Sequence, residues 1–183
     1  MSLRIIAGQW RGRKLAAPEG DTTRPTADRT RETLFSMLAS RLGSFEGLAV
    51  ADLFAGSGAL GLEALSRGVD SCLFVEQDRA ALDAIRANIA KLGARGTDVR
   101  ATSVLALGPA HKPLDLVMMD PPYGSGAGAV ALDKLARLGW IGANTWVSIE
   151  TARDEAISVS GFASEADRVH GKARLILLRA IAD

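Results

Sequence analysis

Residues 48–68 read LAVADLFAGSGALGLEALSRG and contain an apolar run, one acid, a glycine-rich turn and a helical pattern. The apolar run is typical of a strand buried on both faces, and Asp52 lies inside it. Gly56, Gly58 and Gly61 fit the pattern G-x-G-x-x-G, whose glycines let the backbone approach a ligand where a helix begins. The stretch therefore predicts a ligand-binding strand, turn and helix, although tight packing alone would also explain such glycines.

A second acid narrows the choice of ligand. Residues 72–75 are typical of another buried strand, and Glu76 follows about 20 residues after the glycines, where an acid meets a ribose in dinucleotide-binding folds. NAD carries a ribose, but the carboxylate of Asp52 would repel its pyrophosphate. S-adenosylmethionine has a sulfonium and an amine and no phosphate, so it suits that acid. An NAD-linked oxidoreductase stays an alternative.

Length and composition bound the class of protein. A chain of 183 residues with 48% hydrophobic residues is long enough for one α/β domain and short for two. No apolar run approaches the ~20 residues of a membrane span, and the N-terminus lacks a signal-peptide pattern. We therefore expect a cytoplasmic protein with no membrane partner. Because Cys72 is the only cysteine and the two histidines are far apart, we expect no metal.

Positive charge is concentrated near the N-terminus. Residues 1–31 hold seven Arg or Lys against three acids, whereas the rest of the chain holds 15 against 18. This uneven charge distribution is typical of a protein that contacts phosphates with one end of its chain. An ordinary solvent-exposed terminus could have the same distribution. The charge distribution therefore favours a nucleic acid partner.

The basic segment has a predicted structure of its own. Residues 3–15 are consistent with a small hairpin, in which Trp10 either stacks on bases or packs the hairpin against the domain. Pro25 and Thr26 indicate the start of a helix, with Thr26 as its N-cap. Three arginines are expected to crowd around this helix start, namely Arg24, Arg29 and Arg31.

The remaining chain alternates strands and helices. Further strands are predicted over residues 98–102, 114–119 and 146–150, helices over residues 81–92 and 129–138, and a closing hairpin near residues 165–178. Alternation of this kind predicts an α/β fold with a mostly parallel sheet of seven strands, in which the final hairpin makes one strand antiparallel. We therefore predict an N-terminal hairpin arm over residues 1–24 and an α/β domain over residues 25–183.

The fourth predicted strand ends at the sequence Asp-Pro-Pro-Tyr, which starts at Asp120. Ligands of open α/β sheets lie beyond the carboxyl ends of the strands, so Asp52, Glu76 and Asp120 should share one rim. Asp120 and the Pro121 carbonyl can accept both hydrogens of an exocyclic amine. This directs the nitrogen lone pair toward a sulfonium methyl, and the carboxylate offsets the developing positive charge. Tyr123 supplies a flat face for a flipped-out base.

Two motifs resemble those of known methyltransferases. Residues 52–58, DLFAGSG, resemble motif I of the class I S-adenosylmethionine-dependent methyltransferases. Residues 120–123, DPPY, resemble motif IV of the enzymes that methylate exocyclic amines of adenine, cytosine or guanine. These motifs select neither the base nor DNA over RNA.

The whole chain resembles the bacterial 16S rRNA guanine-N2 methyltransferases of the guanine(966)-N(2) type. The likeness also rests on RIIAG at residues 4–8, GRKL at residues 12–15 and Arg-Pro-Thr at residues 24–26. It implies a Rossmann-like class I methyltransferase domain with a C-terminal antiparallel strand, and arginines of the N-terminal block, Arg31 among them, that face RNA. It also implies methyl transfer from S-adenosylmethionine to the guanine 2-amino group of 16S rRNA, free or in an assembling small ribosomal subunit. The implied base site comprises Asp120, Pro121 and Tyr123, and the implied cofactor site comprises Asp52, Phe54, Gly56, Gly58 and Glu76. The implied RNA contacts are Arg4, Trp10, Arg11, Arg13, Lys14, Arg24, Thr26 and Arg29.

Several points stay open at this stage. Many members of that family meet the cofactor adenine with an acid or amide after the third strand, where this chain has Ser103 as the candidate. A DNA adenine-N6 methyltransferase shares the Asp-Pro-Pro-Tyr chemistry, but the chain has no spare region for reading a target sequence. A non-catalytic RNA-binding or ribosome-assembly module is a third reading, against which the retained rim acids weigh. We expect a monomer.

Overall fold

The computed structural model describes residues 2–19 and 25–182, with the backbone alone for residues 25 and 26. Its helices are α1 (Pro25–Leu42), α2 (Ala59–Ser66), α3 (Arg79–Leu92) and α4 (Ala127–Arg137). Its strands are β1 (Ala49–Leu53), β2 (Ser71–Glu76), β3 (Thr97–Ala101), β4 (Leu116–Met119), β5 (Trp146–Ala152), β6 (Phe162–His170) and β7 (Ala173–Ala180). A 3₁₀ turn over Val104–Ala106 follows β3.

The seven strands form one sheet in the order β3-β2-β1-β4-β5-β7-β6. The first five strands pair in parallel, and β7 lies antiparallel to both β5 and β6. The predicted α/β fold with a mostly parallel sheet and one antiparallel strand near the C-terminus is thereby confirmed. The glycine-rich turn joins β1, in the middle of the sheet, to α2.

Side chains of the central strands alternate between two core layers. On one face, Val50, Phe74 and Met118 pack against α1, α2, α3 and the N-terminal segment. On the other face, Leu53 and Val117 pack with α4 and the chain that precedes β4. Because successive strand residues point to opposite faces, a strand covered on both sides must be apolar almost throughout. This explains the continuous apolar runs of the sequence and makes an acid inside β1 unusual.

The N-terminal segment closes a hairpin with one antiparallel bridge, between Arg4 and Lys14, and not with two paired strands. The amide of Ile5 donates to the carbonyl of Arg13 at 2.9 Å beside that bridge. The predicted hairpin is therefore present but short. Ile5 is buried in the core together with Leu3 and Leu15, so the segment predicted as an arm is packed on the domain.

The tip of this hairpin contacts the C-terminal end of α2. The amide of Gln9 donates to the carbonyl of Ser66 at 2.9 Å, and the amide of Trp10 donates to the Ser66 hydroxyl at 3.0 Å. A Cβ atom at Gly8 would lie 1.9 Å from the Ser66 carbonyl oxygen, so glycine is required at this close approach. Trp10 is half-buried and packs against the core, which is the second of the two roles considered for it.

A buried carboxylate fixes the hairpin to the helices. Glu63 of α2 is 0% exposed and accepts hydrogen bonds from the amides of Ile6 at 2.9 Å and Ala7 at 3.0 Å. Its oxygens also lie 3.0 Å from Nε of Arg67 and 3.7 Å from Nε of Arg31. The carboxylate therefore joins three separate parts of the chain, the hairpin, α1 and α2.

The expectation that Arg31 faces RNA is wrong. Its side chain is 5% exposed, and besides Glu63 it contacts Asp28 and the carbonyl of Arg4. An α-helix rotates by about 100° per residue, so Arg29 and Arg31 point to different sides of α1. Arg29 stays exposed, as expected.

The start of α1 also differs from the expectation. The helix begins at Pro25, one residue before the predicted N-cap Thr26, so Thr26 lies inside the helix. Proline suits a first helical turn because its missing amide hydrogen has no partner there in any helix. The side chain of Thr26 and the whole of Arg24 lie outside the described residues. None of the described helices has both the length and the apolar character needed to cross a membrane.

Candidate active site

The carboxyl ends of β1, β4 and β5 open into a cavity of about 780 Å³. Five of the residues proposed from the sequence line it, namely Asp52, Phe54, Gly56, Asp120 and Tyr123. Its other walls come from α1 and from the turn between β6 and β7. The structure thus brings the two motifs, which are far apart in the chain, to one site at the expected rim of the sheet.

Asp52 is the most constrained acid of this cavity. It is 1% exposed, and its Oδ2 accepts a hydrogen bond from the Gly61 amide at 2.9 Å. Its Oδ1 has no hydrogen-bond partner among the described residues. Burial raises the pKa of Asp52 well above its ordinary value, and the negative charges of Asp120 and Glu76 raise it further, against the lowering effect of the Gly61 bond. A cationic donor in the cavity would satisfy this oxygen and stabilise its charge.

The glycine-rich turn has the open shape that ligand binding requires. Gly56 and Gly58 have φ angles of 57° and 79°, and Gly58 is the N-cap of α2. A Cβ at Gly56 would meet no atom within 4 Å, whereas a Cβ at Gly61 would lie 2.4 Å from the ring of Phe74. Gly56 therefore exposes backbone at the cavity. Gly58 is buried outside the cavity lining, where a Cβ would lie 3.3 Å from Phe74, and Gly61 likewise allows α2 to pack closely on the sheet.

Phe54 is the one non-glycine residue with a positive φ, 59°, in the part of the chain that the structure describes. It follows β1 directly and lines the cavity. A left-handed backbone at a bulky residue costs free energy, of order 1–3 kcal/mol, and such strain clusters at functional sites. The backbone thus leaves the strand sharply at the point where the cavity begins.

Glu76 and Ser103 lie near the cavity without being among the residues that line it. Oε2 of Glu76 accepts from the Gly56 amide at 2.8 Å, and Oε1 accepts from the Asp78 amide at 2.9 Å. Glu76 therefore shapes the glycine turn, and a carboxylate with about four lone-pair sites can accept further bonds. The Ser103 hydroxyl accepts from the Leu105 amide at 3.2 Å and caps the 3₁₀ turn.

The Asp-Pro-Pro-Tyr segment leaves β4 at the cavity rim. Asp120 is exposed there, while Pro121 is buried. Tyr123 is 50% exposed, and its hydroxyl donates to Oε1 of Glu150 at 2.6 Å. Burial and this bond raise the pKa of Tyr123 above its ordinary value, so the phenol stays protonated. The next amide, of Gly124, donates to the carboxylate of Glu155 at 2.9 Å, which holds the segment in place.

Three further charged residues line the cavity, Arg31, Glu150 and Lys172. The sequence reasoning assigned Arg31 to RNA contact and missed the other two. Glu150 lies in β5, and the predicted strand ended at that residue, so the rule that placed the other acids on the rim would also have found it. Burial raises the pKa of Glu150, an effect that the bond from Tyr123 opposes. Lys172 follows the turn at Gly171, and no signal in the sequence connects that turn with the cavity.

The hairpin residues proposed to contact RNA lie on the surface, with one side chain engaged in the protein. Arg4, Arg11, Arg13 and Lys14 are exposed. The guanidinium of Arg13 donates to the carbonyl of Lys91 at the end of α3, at 3.0 Å. Arg11 and Lys14 therefore present their charges to solvent, and Arg13 also helps to hold the hairpin on α3.

The residues of the cavity fit S-adenosylmethionine. Oδ1 of Asp52 has no hydrogen-bond partner among the described residues, and the α-amine of S-adenosylmethionine is a cationic donor that could supply one. The open backbone at Gly56 leaves space for the rest of the molecule. A dinucleotide would instead bring a pyrophosphate against this acid. The described ranges contain no group of His, Cys, Asp and Glu side chains that could hold a metal ion.

A mostly parallel seven-stranded sheet with an antiparallel strand, and an acid before the glycine turn of β1, define the Rossmann-like methyltransferase class. Comparisons with known proteins agree. Residues 3–179 match the family described as Conserved hypothetical protein 95. Ribosomal RNA small subunit methyltransferase D of Escherichia coli K12 is 40% identical over 150 residues, 81% of this chain and 74% of that protein. The Haemophilus influenzae protein of the same name is 35% identical over 160 residues, 85% and 81% of the two chains.

A solved structure extends the likeness to the whole chain. That of yhhF, a candidate methyltransferase from Escherichia coli, superposes with a TM-score of 0.85 at 34% identity and covers 100% of both chains. The chain belongs to this family, that of ribosomal RNA small subunit methyltransferase D.

Proposed function

We propose that this protein transfers a methyl group from S-adenosylmethionine to the exocyclic N2 amine of a guanine in 16S rRNA. The observation that carries the proposal is that Asp120, which can hold an amine, lines the same cavity as the orphaned carboxylate of Asp52. One acid suits the nucleophile and the other suits a cationic methyl donor. The family to which the chain belongs acts, by its name, on small-subunit rRNA.

The cofactor side of the site is formed by β1 and the glycine turn. Asp52 would accept the α-amine, while Gly56 and Gly58 give the backbone room to approach the rest of the molecule. Glu76, already bound to the Gly56 amide, would accept the ribose hydroxyls, and Phe54 would complete the wall of the pocket. Ser103, beside the adenine end, remains the candidate for that contact. S-adenosylmethionine supplies an electrophilic methyl group on a sulfonium.

The base side of the site is formed by the segment after β4. The Asp120 carboxylate and the Pro121 carbonyl accept the two N2 hydrogens, which directs the nitrogen lone pair at the methyl carbon. The N–C bond would form as the S–C bond breaks, with S-adenosylhomocysteine as the leaving group. The Asp120 carboxylate would stabilise the positive charge on nitrogen until one N2 proton passes to solvent water. Tyr123 stacks on the guanine, which must be flipped out of its helix or loop to enter the cavity.

The RNA would extend from the cavity over basic surface. Exposed Arg29 lies on α1 near the rim, and the hairpin carries exposed Arg11 and Lys14. Phosphate contacts from such side chains position an RNA without reading its sequence. Free 16S rRNA and an assembling small ribosomal subunit are both compatible partners, in the cytoplasm where these RNAs are made. We propose a monomer, because one chain contains both sides of the site.

The proposal is tested by incubating the protein with labelled S-adenosylmethionine and small-subunit rRNA, free and in particles, and mapping the modified nucleotide by mass. We expect one N2-methylguanine. Asp120→Ala should lower turnover by about 100-fold or more, while calorimetry with S-adenosylhomocysteine shows unchanged binding. Asp133→Ala, an exposed acid on α4, is the matched control and should retain full turnover.

Other outcomes select other functions. Methylated adenine in DNA would favour the adenine-N6 enzyme, and NADH binding without S-adenosylhomocysteine binding would favour the oxidoreductase. Binding to rRNA with no transfer under any condition would favour an assembly module. Unchanged turnover of Asp120→Ala would contradict the role given to that carboxylate.

A further inference from the structure

Glu150 occupies the same position on β5 that Asp120 occupies on β4. The two strands are parallel neighbours in which Met119 pairs with Ile149, so the next residues, Asp120 and Glu150, are adjacent across the sheet. Adjacent strands lie about 4.8 Å apart, and paired residues of parallel strands point to the same side. Both residues line the cavity. A second carboxylate is thus placed beside the one that is proposed to hold the amine.

The carboxylate of Glu150 has one oxygen engaged and another available. Its Oε1 accepts the Tyr123 hydroxyl at 2.6 Å, and this bond ties the carboxylate to the ring on which the base would stack. The group is half-buried in the rim, where an ionised acid gains from a further donor. A ligand in the cavity can supply that donor to Oε2.

We propose that Glu150 selects guanine by accepting the hydrogen on its ring nitrogen N1. This inference rests on the proposed function, in which Asp120 and the Pro121 carbonyl take both hydrogens of the N2 amine. In guanine, N1 is the ring atom next to the carbon that bears this amine, and it carries a hydrogen. In adenine and in 2-aminopurine, N1 has a lone pair and no hydrogen. A carboxylate at this place therefore accepts from guanine and repels the lone pair of the other bases.

The geometry explains why the residue that accepts the N1 hydrogen, Glu150, lies on the strand next to that of Asp120. An acceptor for N1 must lie to the side of the group that holds N2, at about the spacing of two donors on one base edge. Glu is one methylene longer than Asp, and both residues line the cavity from adjacent strands. The bond from Tyr123 fixes its rotamer and couples the reading of the base edge to the stacking of the base face.

The first test uses the unmodified protein. A small-subunit rRNA is prepared with 2-aminopurine in place of the methylated guanine, which keeps the 2-amino group and removes the N1 hydrogen. A hydrogen bond to a charged group is worth about 10- to 100-fold, and we expect kcat/KM for guanine to exceed that for 2-aminopurine by at least this factor. Equal values for the two bases would overturn the inference without any variant.

The second test replaces the acceptor at Glu150 with a group that can donate a hydrogen bond to the base. In Glu150→Gln the amide oxygen can still accept the Tyr123 hydroxyl, while the amide nitrogen presents hydrogens to the base. Guanine would then face a donor with its own N1 hydrogen, whereas the N1 lone pair of 2-aminopurine would accept from it. We expect the guanine to 2-aminopurine ratio of kcat/KM to fall by about 10-fold or more, with binding of S-adenosylhomocysteine unchanged.

Tyr123→Phe is the matched control, because it removes the hydroxyl and keeps the ring. It should lower turnover on both bases while leaving most of the preference for guanine. If Glu150 only positioned Tyr123, Glu150→Gln would leave the guanine to 2-aminopurine ratio of kcat/KM unchanged, and this result would overturn the inference while leaving the methyltransferase function intact. Absence of any guanine N2 methylation by the unmodified protein would instead overturn the proposed function and the inference with it.

Discussion

Replacing Glu63 with alanine should separate the N-terminal hairpin from the domain. The substitution leaves the amides of Ile6 and Ala7 without their acceptor, and Arg31 without its fully buried carboxylate. Removing one partner of a buried ion pair is strongly destabilising because the remaining charge has no water to replace that partner. Of its ion-pair partners, Arg31 would keep only the partly exposed Asp28, at 3.1 Å. Glu63→Ala is therefore expected to be among the most destabilising single changes outside the apolar core.

The magnitude follows from these contacts. Loss of one member of a buried ion pair costs about 3–5 kcal/mol, and each unsatisfied buried amide adds about 1–3 kcal/mol where water cannot enter. Undocking of the hairpin would let water reach both amides, so we take ~3 kcal/mol as the lower bound. For a chain of this length, about 2–4 °C of melting temperature are lost per kcal/mol, which gives a decrease of roughly 6–12 °C.

Thermal and urea unfolding followed by circular dichroism measure the total effect. Hydrogen exchange then localises it, because the amides of Ile6, Ala7 and Trp10 should lose protection while those of β1 and β4 keep theirs. The matched control is Asp133→Ala, which breaks an exposed pair with Arg137 and should change stability by less than about 0.5 kcal/mol. If Glu63→Ala is no less stable than this control, the buried cluster does not hold the hairpin.

Asp52→Asn should raise the free energy of unfolding of the cofactor-free protein and abolish cofactor binding. The folded pKa of this acid lies above the ordinary 3.8, so the wild type loses stability as pH rises from about 4 to the folded pKa, by about 1.4 kcal/mol per pH unit. Thermal melts from pH 4 to 8 should therefore show the variant becoming more stable relative to the wild type as pH rises. Equal stability of the two proteins throughout would exclude a buried charge. Changing Arg11 and Lys14 together to alanine should weaken RNA binding. It should also reduce the slope of the logarithm of the binding constant against the logarithm of salt concentration by up to about two, one per lost phosphate contact. Filter binding at several salt concentrations checks this, and an unchanged slope would show that these two residues do not contact RNA phosphates. Gly61→Ala should cost about 1–3 kcal/mol in urea unfolding, because its Cβ would lie 2.4 Å from an aromatic ring of β2, whereas Gly108→Ala, whose Cβ meets nothing within 4 Å, should be nearly neutral.

The sequence was most informative where a local pattern has one structural solution. The apolar run with Asp52 inside it, followed by the glycines, predicted β1, the turn and α2 because both periodicity and backbone freedom act over a few residues. Asp120 could be placed on the same rim because parallel strands end on the same side of a sheet. The small hairpin at the N-terminus was also predicted, and in the structure a single bridge closes it.

Contacts between distant residues could not be found in this way. In the sequence, Glu63 looks like any acid on a helix. Only the tertiary structure shows that the hairpin and Arg31 contact it. Trp10 had two equally plausible roles until the docking of its backbone on Ser66 was seen. In each case the choice between a solvated and a buried side chain depends on which other segment covers it.

By itself, the amino-acid sequence determined the class of fold and the rim of the sheet at which Asp52 and Asp120 line one cavity. These follow from short-range spacing and from the rule that parallel strands share one carboxyl edge. The tertiary structure alone decided that Arg31 is buried and that Glu150 accepts the Tyr123 hydroxyl. It also decided that one oxygen of Asp52 has no hydrogen-bond partner among the residues that the structure describes. The physical reason is that burial and pairing are properties of the space between segments, which no single segment encodes.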